Sequence, residues 1–446
     1  MSFVILVVYV FLLVFITNII RDKISRLLIL VYISFWCGSL LLCHINPFEY
    51  YEVSGMTYLI LLGHVVAFAF GFIIPKIRNQ DICILNKIPI DISKILKSKL
   101  FLIIYILNTL FIINLLIKQR QLLTIYSLSE IRGDFMDLVM ESNGGTYLFY
   151  NIISSCFFQF SLCLNTYMLF FDRKWKYIIM LSVYIIIFAM MGGGRNGFMI
   201  LGYYCFSFWL VSDYIQSVNV GRKISFRFPT RIKILLGFVA VIAVVAMTAI
   251  TALRSGHMDL DKDAFNEGFA ELGEKFGEYS AGPIVAFDIA VQDKSFNKEK
   301  YFGRATFGGC DYFLYIIFHR FGIYNKTVYH TTTSILQNEG INIASDRRWN
   351  YAYTSCIYYF YDFGIIGVLL MPFFLGYIVR RFIIRLYKKS TIYDIAIFTF
   401  ICYCIYMSFF SWYLHKMMVV LYFMILMILS HHKNNKQRGQ ATSKLM

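Results

Sequence analysis

Apolar residues in this chain gather into long runs with few interruptions, recurring from one end to the other. Runs of about 15 residues or more are candidates for helices that cross a hydrocarbon core of about 30 Å. Eleven are read: 3–19, 27–43, 56–74, 100–117, 146–171, 177–191, 198–212, 234–252, 355–379, 392–410 and 417–430. Two of them, 177–191 and 198–212, are short enough to tilt or re-enter. The pattern predicts an all-α polytopic transmembrane bundle with one large loop from about Arg254 to Tyr353. The chain then divides into spans one to eight (1–253), the loop (254–353), spans nine to eleven (354–431) and a basic tail (432–446). No repeat of 20–50 residues is evident.

Composition agrees: 59% of the 446 residues are hydrophobic and only 15% charged, far from a soluble domain. Charge adds direction, because Lys and Arg stay on the cytoplasmic side during insertion. Alternate loops (20–26, 75–99, 172–176, 213–233, 380–390 and 432–446) hold 26 of the 42 basic residues against five acids, with Asp394 at the edge of the next run a sixth on that face. The opposite loops hold 16 basic residues and 19 acids. The expected topology has the amino terminus outside, the carboxyl terminus in the cytoplasm and the large loop outside. The net charge of +16 is therefore a topology signal with some attraction to membrane lipids, and no nucleic-acid partner is expected.

Met1–Ile20 lacks a basic n-region and is followed by Arg21-Asp22-Lys23, so it reads as a retained span. Eight of the ten cysteines fall in or beside spans, and no disulfide framework is implied. Cys402 and Cys404 lie on different sides of a helix, poor geometry for one metal. The first outer loop has Glu49 and Glu52 but no Asp-Asp or Glu-x-Asp pair, so neither metal nor cofactor is expected.

Within the large loop, Phe265, Phe269, Leu272, Phe276 and Tyr279 recur at helical spacing, with Glu267, Glu271, Glu274, Lys275 and Glu278 facing elsewhere. This predicts an amphipathic helix over 263–280, ended by Gly282-Pro283. Its aromatic stripe either packs on the bundle or forms an interfacial lid.

Three features are costly unless they serve a purpose. Gly192-Gly193-Gly194-Arg195-Asn196-Gly197 makes a tight turn at the outer side. Its Arg195 either reaches water or clamps a phosphate, which a planar guanidinium binds in bidentate fashion. The Lys-Ser/Thr ending of a nucleotide-binding loop is missing. Arg254 follows the eighth run, with His257 close by, as an interfacial anchor or a substrate contact. Lastly, Arg347-Arg348 and Asn350 lead through Tyr353 and Thr354-Ser355 to Tyr361-Asp362-Phe363-Gly364 and Gly367. An acid within a span, as Asp362 is read, must pair, protonate or line a polar cavity. Without a soluble kinase core, Asp-Phe-Gly has no kinase meaning here.

The outer Arg132 segment, the Gly-Gly-Arg-Asn turn at 193–196, Arg254, the large loop and the run from Asn350 to Gly367 together resemble the Wzy-type O-antigen or oligosaccharide repeat-unit polymerases. The resemblance covers most of the chain as architecture, and its specific part is 192–198 and 350–376. It implies a GT-C-like glycosyltransferase of the bacterial inner membrane, acting on undecaprenyl-diphosphate-linked oligosaccharide with a chain-length regulator protein as partner. Lipopolysaccharide O-antigen and capsule are products of this kind.

On that reading Arg195 and Arg254 hold diphosphate, while Arg132, Arg347 and Arg348 serve a second diphosphate or the glycan. Asn196, His257, Asn350 and Tyr353 line the substrate, with Tyr351 and Tyr358 as further stacking rings. The general base is Asp362, Glu278, His257 or His330, between which the residues do not choose. Two rivals keep the same lipid-linked substrate: a flippase, which usually shows paired halves, and an O-antigen ligase.

Overall fold

The computed structural model describes residues 1–76, 95–126, 145–146, 149–171, 176–190, 200–211, 244–252, 261–293, 299–333, 335–336, 341–345, 347–349, 353–389 and 392–442, with 131, 139, 234, 237 and 241. These fall into two compact units, Met1–Leu85 with Gly277–Met446, and Asn86–Phe276. Helix dominates, apart from a two-stranded antiparallel hairpin pairing Ile341 with Trp349 and Asn342 with Arg348. Among the described residues five helices are long and apolar enough to cross a membrane, which marks a multi-pass helical membrane protein.

In the first unit, α1 (Ser2–Ile19) and α2 (Lys23–Ile45) join through a short turn whose Asp22 caps α2, its side chain accepting from the Ser25 amide at 3.1 Å. Helix α3 (Gly55–Ile73) begins at Ser54, whose hydroxyl accepts from the Thr57 amide. The second unit contains α4 (Lys99–Leu122), α5 (Ser155–Phe171), α6 (Lys176–Met190) and α7 (Ile200–Val211). Tyr204 of α7 donates to Gln159 of α5 at 2.9 Å. Of the run 234–252, residues 244–252 are helical.

Helix α8 (Lys262–Gln292) corrects the expected amphipathic helix in two ways. It continues through Gly282-Pro283, because the residues beyond carry a mostly apolar buried face: Ile284, Val285, Phe287 and Ala290 are buried. A Cβ on Gly282 would stand 3.2 Å from the Trp349 ring. Earlier in α8 the buried positions are Ala264, Gly268 and Leu272, of which only Leu272 belongs to the expected stripe, and Phe269 is exposed. Small residues win that face because Gly268 approaches the Thr248 carbonyl and Ala252, leaving no room for rings.

The remaining elements of the first unit are α9 (Gly308–Phe318), α10 (Val328–Thr333), the hairpin β1 (Ile341–Asn342) and β2 (Arg348–Trp349), α11 (Ser355–Lys389), α12 (Ile392–Met407) and α13 (Met417–Thr442). The unit is built on α3 and α11, which run parallel. A Cβ on Gly63 would come within 2.7 Å of Leu369, one on Gly71 would strike the Phe373 backbone, and one on Gly376 the Phe68 backbone. Such close backbone approach is the usual way apolar helices gain attraction in lipid, where no hydrophobic drive separates them from their solvent.

Pro372 has no N–H to give the Val368 carbonyl four residues back. His64 of α3 supplies the donor: its Nδ1 lies 3.3 Å from that carbonyl, and Nε2 accepts from the Tyr32 hydroxyl at 2.9 Å.

Each end of this helix pair gathers its own polar groups. At one end Arg380 pairs with Asp22 at 2.8 Å and donates to the Pro75 carbonyl, and Arg385 pairs with Asp394 at 2.7 Å. At the other, Tyr51 donates to the Ile343 carbonyl, Ser54 to Asp288 and the Ser355 amide to the Ser408 carbonyl.

Candidate functional site

The second of these ends contains the motif that opens α11. Gly364 has φ 64° and ψ −151°, a conformation available to glycine and costly for other residues, and it breaks α11 into a short first segment and a long second one. Carbonyls at such a break need outside donors. Phe360 accepts from Lys300 Nζ at 3.2 Å and Tyr361 from the Tyr301 amide at 3.1 Å.

Asp362 is fully buried, and its two oxygens accept from the amides of Ala305 and Thr306 at 2.9 and 2.7 Å. The carbonyls of the same two residues are also held. His415 Nδ1 donates to Ala305 at 3.3 Å and Trp412 Nε1 to Thr306 at 2.7 Å. Thr333 lies 3.2 Å from Nε2 of the same imidazole, which is buried and lowered to about 4 by loss of hydration.

Next to this clamp, Asp311 of α9 receives Arg304 Nε at 2.7 Å, the Val328 amide at 2.8 Å and the hydroxyls of Tyr324 and Thr327. Burial works to raise its pKa, but the hydrogen bonds and the guanidinium outweigh that and hold the carboxyl below its ordinary value.

Glu278 and Arg347 form the second polar group at this end. Glu278 was read on the polar face of its helix, yet it is buried and accepts from Arg347 Nη1 at 3.2 Å. A third of the Arg347 side chain stays exposed, with Tyr50 lying 6.0 Å from the guanidinium carbon. Burial, and then the Glu278 charge, push the Tyr50 hydroxyl up to about 12. Gly277 lies against the ring of Phe48, and Tyr279 meets Trp349 edge-on at 5.9 Å. A carboxylate, a guanidinium and four aromatic rings thus share one place, a combination suited to proton transfer beside an anionic, ring-bearing ligand.

Of the residues singled out in the sequence, Glu278 and Arg347 are brought together. Arg348 is exposed on β2. His330 is exposed on α10, its ring 5.1 Å from that of Tyr312. Tyr353 and Tyr358, read as stacking rings, are buried, Tyr358 against His415 at 4.6 Å. Arg132, Arg195, Asn196, Arg254, His257, Asn350 and Tyr351 lie outside the described residues. Lys300, Arg304, Asp311, Trp412 and His415 were not singled out. The glycine pair Gly308-Gly309 before Asp311, and a Trp and a His in the short link between α12 and α13, were the available signals. Among the described residues no three His, Cys, Asp or Glu side chains converge as metal ligands. No protein-family model, curated protein or solved structure matches the chain.

Proposed function

We propose that this protein is a glycosyltransferase of the bacterial cytoplasmic membrane that polymerises lipid-linked oligosaccharide repeat units, moving the growing glycan from undecaprenyl diphosphate to a hydroxyl of an incoming unit. The end of the first unit that holds Glu278, Arg347 and Asp362 faces outward in this reading, and the end with Asp22, Arg380 and Arg385 faces the cytoplasm. The observation that carries the proposal is the pairing of buried Glu278 with part-exposed Arg347 at 3.2 Å, beside Tyr50.

Glu278 is the better base than Asp362, both of whose oxygens are engaged in holding 305–306. Glu278 takes the acceptor hydroxyl proton as that oxygen bonds to the anomeric carbon of the donor glycan. The bond from that carbon to the diphosphate oxygen breaks, and the lipid diphosphate leaves with the electron pair. Arg347 and Arg348 meet the developing negative charge, as Arg132, Arg195 and Arg254 do in the sequence reading. Stabilisation of this kind is often the largest catalytic term.

Deletion of the chain in its host, followed by analysis of surface glycan, tests the reading. A polymerase leaves a single-repeat product and no ladder. Accumulation of units on the cytoplasmic side would instead identify a flippase, and free polymer lacking its final acceptor a ligase. Glu278→Gln and Arg347→Ala, complementing the deletion at normal membrane abundance, are expected to leave the ladder missing; a normal ladder from both would exclude this pair as the site.

A further inference from the structure

We propose that the segment from Phe302 to Ile323 is seated in the lipid leaflet at the α11 N-terminal side, with its basic rim against anionic phospholipid headgroups. Helix α9 has two unlike faces. Gly308, Gly309 and Asp311 are buried, and Gly309 sits so close that a Cβ would come within 2.6 Å of the Lys416 carbonyl. The other face carries Leu314, Ile317 and Phe318 at helical spacing, all exposed, and continues into Phe321 and Ile323, each 72% exposed. Contiguous large apolar side chains are rarely left to water.

Lipid is the occupant because the apolar exposed surface carries on to the candidate membrane span of α11. Phe302, 78% exposed, meets Phe363 edge-on at 6.4 Å, and Ile365 and Ile366 carry the apolar surface down the membrane-crossing part of α11. Phe302 also has φ 50°, an unfavourable backbone for a ring-bearing residue. It is held there by the Tyr301 amide bond to Tyr361 and by the Asp362 clamp on 305–306. The fold therefore spends backbone strain to point this ring outward, beside the span.

Charge is complementary to a headgroup layer. His319, Arg320 and Lys326 are exposed around the apolar face. Between residues 300 and 326 the only acid is Asp311, which is buried and engaged by Arg304. Basic groups bordering an apolar helical face are the pattern of an interfacial segment. This seating does not depend on the catalytic reading above.

The test uses the full-length chain in nanodiscs containing phosphatidylglycerol, with an environment-sensitive fluorescent amino acid placed at Phe321 or Ile323 and, as the water-side reference, at Asn325. Positions 321 and 323 are expected to emit to the blue of 325 and to be quenched several-fold more by brominated acyl chains, with several-fold less quenching by iodide. Iodide quenching at 321 and 323 equal to that at 325, without bromolipid quenching, would overturn the seating. The surface pair Arg320→Glu with Lys326→Glu is expected to reduce bromolipid quenching at 321 in these discs. Unchanged quenching would overturn the headgroup contact.

Discussion

Asp362 and His415 grip opposite sides of one residue, Ala305, the carboxylate taking its amide and the imidazole giving to its carbonyl. Trp412 does for the Thr306 carbonyl what His415 does for that of Ala305. The segment joining α8 to α9 is thereby tied to both α11 and the α12–α13 link, with every backbone group of 305 and 306 satisfied away from water. Buried groups so arranged are costly to unpair.

Asp362→Ala should leave two buried amides without acceptors and lower stability by about 2–4 kcal/mol. Asp362→Asn, which retains one acceptor oxygen, should cost roughly half as much. Thermal unfolding in detergent measures both. Proteolytic cutting near 302–307 should rise in the same order. Equal melting of wild type and Asp362→Ala would remove the clamp from this account.

The same clamp predicts an acid sensitivity. His415 is lowered from 6.5 to about 4, so between those values the unfolded chain binds a proton that the folded chain refuses. Its contribution is fully present above about pH 6.5 and is lost as pH falls towards 4, amounting to about 3 kcal/mol at most. Lys416 opposes protonation and Asp311 favours it; Tyr329, Tyr358 and Thr333 also face the ring. Melting temperature should drop between pH 6.5 and 4.5 in wild type and drop less in His415→Asn. A steeper fall in the variant would contradict the assignment.

Close approach of α3 and α11 gives a steric prediction. Gly71→Ala drives a Cβ into the Phe373 backbone and should destabilise by about 1–3 kcal/mol. Gly38→Ala on α2 has open space around the new methyl and should be neutral or slightly stabilising. Equal effects at the two glycines, measured as melting temperature in one detergent, would show that helix propensity decides and packing does not.

What the sequence disclosed and what it concealed divide along a physical line. Apolar run length is a local property, and it located α1 to α4 within about five residues of their ends and α11 at its start, although that helix runs on past 379 to Lys389. Proline and glycine misled where tertiary packing outweighed them: Gly282-Pro283 did not stop α8, while Gly364 broke α11 outright. Glu278 was legible as an acid on the polar face and a candidate base, but its burial was not, because its partner Arg347 lies 69 positions further on. Asp311 went unnoticed for a similar reason, as its partners Arg304, Tyr324 and Thr327 converge only once α9 has folded back on them.

His64 and Pro372 make the sharpest test of such distant dependence. The imidazole is a donor to the Val368 carbonyl, which in an uninterrupted helix would be served by the amide of residue 372. His64→Ala in the wild-type background should leave that carbonyl unserved deep in the bundle and remove one partner of the Tyr32 hydroxyl, at a cost of about 2–3 kcal/mol. Pro372→Ala returns the missing amide, so His64→Ala should cost less in that background, by about 1 kcal/mol. A double-mutant cycle on thermal or denaturant stability reads the difference. Strict additivity would mean that His64 serves Tyr32 alone and that the proline's carbonyl finds its donor elsewhere.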